Sequence, residues 1–244
     1  MTNERNERLV TRLAETAGEI QAAQQLRYRV FADEMGARLE SAREGLDRDA
    51  FDPHCRHLIL CDGADGRIVG TYRILTAERA RAIGRFYSAS EFEIEPLLVL
   101  PDLVEIGRSC IDPAYRSGAA LAALLGGLAR HLRAEGHEHV IGCASIPIAG
   151  GLEPVRTLCA QLLREHAGPP ELRCAPRNPL PLAASSERLT PASVPPLIRG
   201  YLRMGAFICG PPALDTEFGT VDLLMLLPMA RLDRRYAHRL LRAA

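Results

Sequence analysis

Lysine is absent from this chain. All 30 residues counted together as Lys and Arg are Arg. Without a lysine amine there is no Schiff base, so ordinary pyridoxal-phosphate chemistry is excluded, and a Walker A loop lacks its essential residue. Aromatic residues are scarce at 5%. The densest gathering of them, Phe86 to Phe92, reads as the lining of an apolar pocket. Net charge is missing as well: 30 acidic residues balance the 30 basic ones, so strong non-specific nucleic-acid binding is not expected. No run approaches the roughly 18 apolar residues of a transmembrane helix. The first residues, Met1-Thr2-Asn3-Glu4-Arg5, are polar and mixed in charge, unlike a signal peptide, and a cytoplasmic location is expected. The seven cysteines form no Cys-x-x-Cys pair, so neither a zinc ribbon nor a redox motif is supported, and most are expected to be buried thiols.

At 244 residues the chain fits one large domain or two small ones. Its centre of gravity is Val104-Glu105-Ile106-Gly107-Arg108-Ser109-Cys110-Ile111, followed by Asp112-Pro113-Ala114-Tyr115-Arg116-Ser117-Gly118. The first part is a predicted strand and the second a turn opening a helix to about Glu135. A helix N-terminus after a short turn offers free backbone N–H groups to a phosphate or a polarised carbonyl. Glu105 and Arg108 are opposite charges in an otherwise apolar strand, where charges are costly unless paired. Two readings are open: a structural ion pair, or a general base at an active site.

Around this stretch the pattern alternates. Leu9 to Leu13 is a weak strand. Thr16-Ala17-Gly18-Glu19 has capping-box spacing, and the helix it starts carries Ile20, Ala23, Val30 and Phe31 on one face, with Arg27 beside them. Taken alone, Arg27 reads as solvated. Glu40 to Pro53 is a charged loop containing Asp47, Asp49 and Asp52; its spacing lacks the glycine and final glutamate of an EF-hand, and no metal is expected. His57 to Cys61 and Arg67 to Leu75 form a predicted antiparallel hairpin around Asp62-Gly63-Ala64-Asp65-Gly66. Leu121, Leu124, Leu125, Leu128 and Leu132 keep helical spacing, His139 to Ser145 is a buried strand, and Glu153 to His166 is an amphipathic helix. Gly168 to Pro196 is a Pro- and Arg-rich excursion. A helix then runs from Pro196 to Met204, and strands cover Ala206 to Cys209 and Val221 to Leu227. Arg231 to Arg242 reads as a basic helix, with a membrane surface or an acidic carrier protein as candidate partners and simple solvation as the alternative.

These stretches together resemble a known family. Leu26-Arg27-Tyr28-Arg29-Val30-Phe31, Asp49-Ala50-Phe51-Asp52, Glu105-Ile106-Gly107-Arg108-Ser109-Cys110, Gly142-Cys143-Ala144-Ser145 and the segment from Pro196 to Asp222 are similar to bacterial ornithine N-acyltransferases of the GNAT superfamily. The likeness covers almost the whole chain. It implies an α/β fold of the GNAT type, a mixed and mostly antiparallel sheet with helices on both faces, as one domain over 1–244 with an extension from about 168. It also implies transfer of a 3-hydroxyacyl chain from acyl carrier protein to the α-amine of ornithine, giving lyso-ornithine lipid, with no cofactor beyond the donor's own phosphopantetheine. A more distant likeness, to acyl-homoserine-lactone synthases, assigns Glu105 and Arg108 to catalysis and Arg27, Phe31, Asp49, Asp52 and Arg73 to a charge network or substrate contact. The acidic loop would then fold over the sheet onto Arg27, Arg73 and Arg108.

The resemblance implies phosphopantetheine binding at Arg116, Ser117 and Gly118. Coenzyme-A-dependent GNAT enzymes carry Arg/Gln-x-x-Gly-x-Gly/Ala there, whereas Arg116-Ser117-Gly118-Ala119-Ala120 has its glycine one residue early and lacks the second, which favours the carrier protein as donor. In this reading Glu105 takes the proton of the attacking amine, and backbone N–H groups of the central strand hold the oxyanion. Tyr201 is a weak candidate for protonating the thiolate, with packing in the core the stronger alternative. Asp215 and Asp222 are candidates for an ornithine ammonium, with structural capping the stronger alternative. Strict alternation would put Glu105 and Arg108 on opposite faces, so a β-bulge is expected near Gly107. The competing readings are a lactone-type signal synthase, another amino-acid N-acyltransferase, and a catalytically silent binding module.

Overall fold

The computed structural model describes residues 9–182, 190 and 193–232. The order runs β1 (Leu9–Leu13), α1 (Ala17–Tyr28), a π-helical turn (Arg29–Glu34), β2 (Arg56–Asp62), β3 (Ile68–Thr76), α2 (Ala77–Ile83), β4 (Phe92–Glu93) and β5 (Leu103–Ile111). It continues through α3 (Gly118–Ala134), β6 (His139–Pro147), α4 (Leu152–His166), β7 (Ala175–Pro176), α5 (Pro196–Met204), β8 (Phe207–Ile208), β9 (Ala213–Asp215) and β10 (Thr220–Pro228). The main sheet is ordered β1-β2-β3-β5-β6-β10-β8, with β9 on β10, and β4 pairs β7 apart from it. Among the described strands, β5–β6 is the one parallel pairing.

Local chemistry explains the boundaries. Thr16 accepts from the Glu19 amide while Glu19 accepts from the Thr16 amide, so the capping box forms as its spacing predicts. Gly205 ends α5 in the left-handed conformation, where a Cβ would be strained. The expected basic helix from Arg231 falls almost entirely outside the described residues; Met229–Arg231 is a 3-10 turn.

Alternation assigns the two faces of the sheet. Tyr72, Ile74, Val104, Ile106, Ala144, Leu223 and Met225 point one way and pack with α3, α4 and α5 in the largest core cluster. Leu75, Ile141, Leu224 and Leu226 point the other way, into a second cluster with Phe51, Phe86 and Ala80 of α2. Helix α1 covers the far end of this second face through Leu26 against Cys110, and through Ala23 against Ile59. The site is built where the sheet is least regular.

Two irregularities meet in β5. Thr71 pairs with Cys110 but Arg73 pairs with Gly107, so Tyr72 faces two residues, Arg108 and Ser109. That is the expected β-bulge, and Arg108 carries its strain at φ 50°. On the other edge, β5 pairs with β6 only from Leu103–His139 to Glu105–Ile141. Beyond Glu105 the strands part, while β6 stays paired with β10 along its full length. The wedge has a fixed apex. A Cβ on Gly142 would lie 2.4 Å from the Ile106 carbonyl oxygen, so Gly142→Ala must push the strands apart. A loss of about 1–3 kcal/mol in urea denaturation is expected, the usual scale of overpacking against backbone that cannot yield.

Candidate active site

The acidic loop is bound to the sheet by a closed ring of six charges. Arg27 meets Asp47 at 2.8 Å and Asp52 at 2.6 Å. Arg73 meets Asp52 at 3.0 Å and Asp49 at 2.6 Å. Arg108 closes the ring on Asp49 and Asp47, each at 3.2 Å. Every carboxylate touches two guanidinium groups and the sum of charges is zero. Arg27 is fully buried, which overturns the solvated reading of its position: a helix face that puts Arg27 four residues before Phe31 turns it under the loop. Burial pushes the Asp52 carboxyl up, but the attraction of Arg27 and Arg73 outweighs it and holds the pKa below the ordinary range. His57 lies beneath, 3.4 Å from Arg27, and burial lowers its pKa.

A cavity of about 200 Å³ opens at the wedge, far more than the roughly 30 Å³ share of one water. Phe31, Arg73, Glu105 and Arg108 line it, whereas Arg27, Asp49 and Asp52 support it from behind. The Arg108 guanidinium lies between two rings, 4.8 Å from the centre of Tyr87 and 4.7 Å from that of Phe218, so aromatic faces as well as carboxylates fix it. The bulge therefore puts Arg108 on the same side of the sheet as Glu105, as the single-site reading requires.

Glu105 is 5% exposed. It accepts from the Tyr87 and Ser88 amides, both at 2.7 Å, and from the Ser88 hydroxyl. Burial raises its pKa, opposed by these hydrogen bonds and by Arg73. Glu105 and Ser88 both line the cavity. The Cys143 thiol lies 3.5 Å from the Ser88 hydroxyl, and burial keeps it protonated well above its usual pKa.

Glu91, Asp215 and Asp222 form a second acidic group, their carboxylate oxygens within 4.8 Å of one another, and all three line the cavity. Burial, reinforced by the charge of Asp222, raises Glu91 to about 9. Burial raises Asp222 to about 6, opposed by the Ser145 hydroxyl and by Glu91. Sequence reasoning found Asp215 and Asp222 but not Glu91 or Ser88. Their only signal was their place in the aromatic-rich Phe86 to Phe92 segment; of its aromatics only Tyr87 is among the cavity's lining residues, whereas Phe86 and Phe92 pack in the second core cluster.

The turn before α3 is spent locally. Arg116 makes a two-point pair with Glu34, at 2.5 and 2.7 Å. Ser117 is the N-cap of α3 and accepts from the Ala120 amide, and Gly118 is the first helical residue. None of these three is among the described residues that line the cavity.

A bulged β5 splayed from a parallel β6, with a buried carboxylate at the opening, defines the class: an acyltransferase of the GNAT type. Residues 26–126 match the acetyltransferase (GNAT) domain family. The chain is 37% identical to the L-ornithine N(alpha)-acyltransferase of Brucella abortus, over 93% of this chain and 87% of that one. It is 34% identical to the protein of the same name from Rhodobacter capsulatus, over 92% of each chain. It belongs to the L-ornithine N(alpha)-acyltransferase family. Among solved structures, a CoA-dependent acyl-homoserine lactone synthase, BjaI, shares the fold with a TM-score of 0.54 at 14% identity, covering 92% of this chain and 81% of the other. FeeM, an N-acyl amino acid synthase from uncultured soil microbes, gives 0.50 at 13% identity, covering 91% and 92%.

Proposed function

We propose that this enzyme transfers a 3-hydroxyacyl chain from acyl carrier protein to the α-amine of ornithine, and that Glu91, Asp215 and Asp222 hold the side-chain ammonium of the acceptor. The observation that carries the reading is the make-up of one cavity. Glu105 and the acidic group lie on one side of the wedge, and on the other Leu128, Leu132, Leu197, Met204, Met225 and Leu227 form an apolar wall suited to an acyl chain. Three carboxylates this close, with Asp222 buried and Glu91 and Asp215 half-buried, call for a cation to compensate them. An ammonium held there stays protonated and cannot attack, so the α-amine is left as the nucleophile.

The chemistry is aminolysis. The α-amine lone pair attacks the thioester carbon, and its proton passes to Glu105 through a water or Ser88. Bulge amides where β5 leaves β6 are the donors for the oxyanion. Collapse breaks the C–S bond, and the proton taken up by Glu105 passes on to the departing thiolate. Arg108 acts by position, tying the bulge to the acidic loop. The carrier protein is favoured as donor because Arg116-Ser117-Gly118-Ala119-Ala120 has its glycine one residue early and lacks the second glycine of a pyrophosphate cradle. A polybasic contact with the membrane surface rests on the C-terminal segment, outside the described residues; no described helix is long and apolar enough to cross a membrane.

The test is a purified-protein assay with 3-hydroxyacyl carrier protein and ornithine, following free thiol and product mass. N-acylornithine supports the reading. Thiol release only with another amine reassigns the acceptor, and activity only with an acyl coenzyme A reassigns the donor. The acidic group adds a pH signature. An ammonium binds the ionised carboxylates, so KM for ornithine should fall as pH rises through about 6, where Asp222 ionises, and further toward about 9 with Glu91. Asp222→Asn should flatten the lower step and raise KM by about tenfold or more, the scale of a lost charge-assisted contact.

A further inference from the structure

Cys143 of β6 lines the cavity together with Glu105. Glu105 pairs with Ile141, and Cys143 lies two residues further along β6, past the point where the strands part. Alternation puts the carboxylate and the thiol on the same face of the sheet.

Ser88 joins the two. Its hydroxyl donates to Glu105 and accepts from the Cys143 thiol, whose sulfur is 3.5 Å away. Every hydrogen of this chain then points toward the ionised carboxylate. A hydroxyl has one hydrogen to give, so uptake of a proton by Glu105 reverses the order. Glu105 donates to Ser88, Ser88 donates to the Cys143 sulfur, and the thiol hydrogen turns to the cavity. The thiol also reaches the Glu91 carboxyl, which an ammonium bound at the acidic group engages instead.

We propose that Cys143 protonates the departing thiolate and is itself reprotonated from Glu105 through Ser88. The proposal rests on the acyl-transfer reading above and gives its last proton a path. As the C–N bond forms, the amine proton goes to Glu105. As the C–S bond breaks, its electron pair stays on sulfur, which takes the Cys143 hydrogen. The Ser88 hydrogen moves to Cys143 and the Glu105 proton to Ser88, so Glu105 ends ionised and each side chain is restored. A thiol suits this task, since it passes a proton to a thiolate of like basicity. Burial keeps Cys143 protonated, and a protonated thiol is no nucleophile. Tyr201 is placed otherwise: its hydroxyl meets that of Tyr72, 2.7 Å away, against the first core cluster on the other face.

The experiment compares kcat of the wild type and Cys143→Ala on two donors with the same acyl chain, ornithine being fixed. One is 3-hydroxyhexadecanoyl carrier protein; the other is the 4-nitrothiophenyl ester of the same acid, whose thiolate leaves without a proton. Cys143→Ala should lose about 10²-fold or more on the carrier protein and less than about threefold on the aryl thioester, the contrast expected of a lost general acid. Cys143→Ser keeps one exchangeable hydrogen and should regain most of the loss; it also serves if the alanine variant unfolds. Equal loss on both donors overturns the proposal, as does no loss on either. An acyl adduct formed on the wild type without ornithine, and missing from Cys143→Ala by mass spectrometry, overturns it in favour of a nucleophilic thiol. Failure of the acyl-transfer reading is recognised separately, because the wild type would then acylate ornithine from neither donor, and the proposal falls with it.

Discussion

Glu105→Gln should lower kcat by about 10²–10⁴-fold, the range for removal of a general base, with KM for ornithine little changed. The buried carboxylate is the one group at the opening of the wedge fixed by three donors, two of them backbone amides at 2.7 Å. Glutamine keeps the shape and one acceptor oxygen but cannot take a proton. The pH profile separates this role from a structural one. Burial raises the Glu105 pKa above the ordinary carboxylate range, and the base works when ionised, so wild-type kcat should climb as pH rises through that pKa. In Glu105→Gln this limb should vanish. A structural role would instead lower the melting temperature and raise KM with the limb intact. A variant with wild-type kcat would remove Glu105 from the chemistry.

Arg27→Met should be the most damaging single change to stability. Arg27 is fully buried and holds Asp47 and Asp52, whose side chains are each 3% exposed. Removing it leaves the ring with three carboxylates and two cations, and leaves Asp47 and Asp52, the two most buried carboxylates, short of a partner. Breaking a buried pair costs about 3–5 kcal/mol, and at about 2–4 °C per kcal/mol for a chain of this size the melting temperature should fall by on the order of 10 °C. The exposed Arg48–Glu44 pair, with side chains near half exposure, should be close to neutral by comparison. Adding Asp52→Asn to Arg27→Met should recover part of the loss, since it removes the charge left unpaired, and a double-mutant cycle measures that coupling. Additive losses would show that the ring is not one unit. Asp52 ionises below the ordinary carboxylate range in the folded state. Its contribution is therefore complete above the unfolded-state pKa, and it is lost as pH falls toward the folded one.

Much of this was written locally. The capping box at Thr16, the turn around Gly63, the apolar spacing of α3 and the Gly205 stop are set within a few residues, and each appears where the sequence puts it. Even the bulge was legible, because charges at 105 and 108 serve one site only if the register shifts between them. Arg27 was not legible from its own neighbourhood. Its burial is repaid by Asp47 and Asp52, 20 and 25 positions away, and helical periodicity says nothing about such partners. Glu91 and Ser88 were missed for the same reason. Nothing within a few residues of Glu91 explains a raised pKa; the cause is burial, reinforced by Asp222, which the sheet brings alongside.

The sequence by itself determined the main strands and helices, since periodicity is a property of the chain, and the likeness of its motifs to a known family supplied the class and the expected pairing of the acidic loop with Arg27, Arg73 and Arg108. Tertiary structure decided the closed order of that ring and which carboxylates share the cavity. Those outcomes depend on distance and on the loss of water, and both exist only once the strands of the sheet have paired and parted.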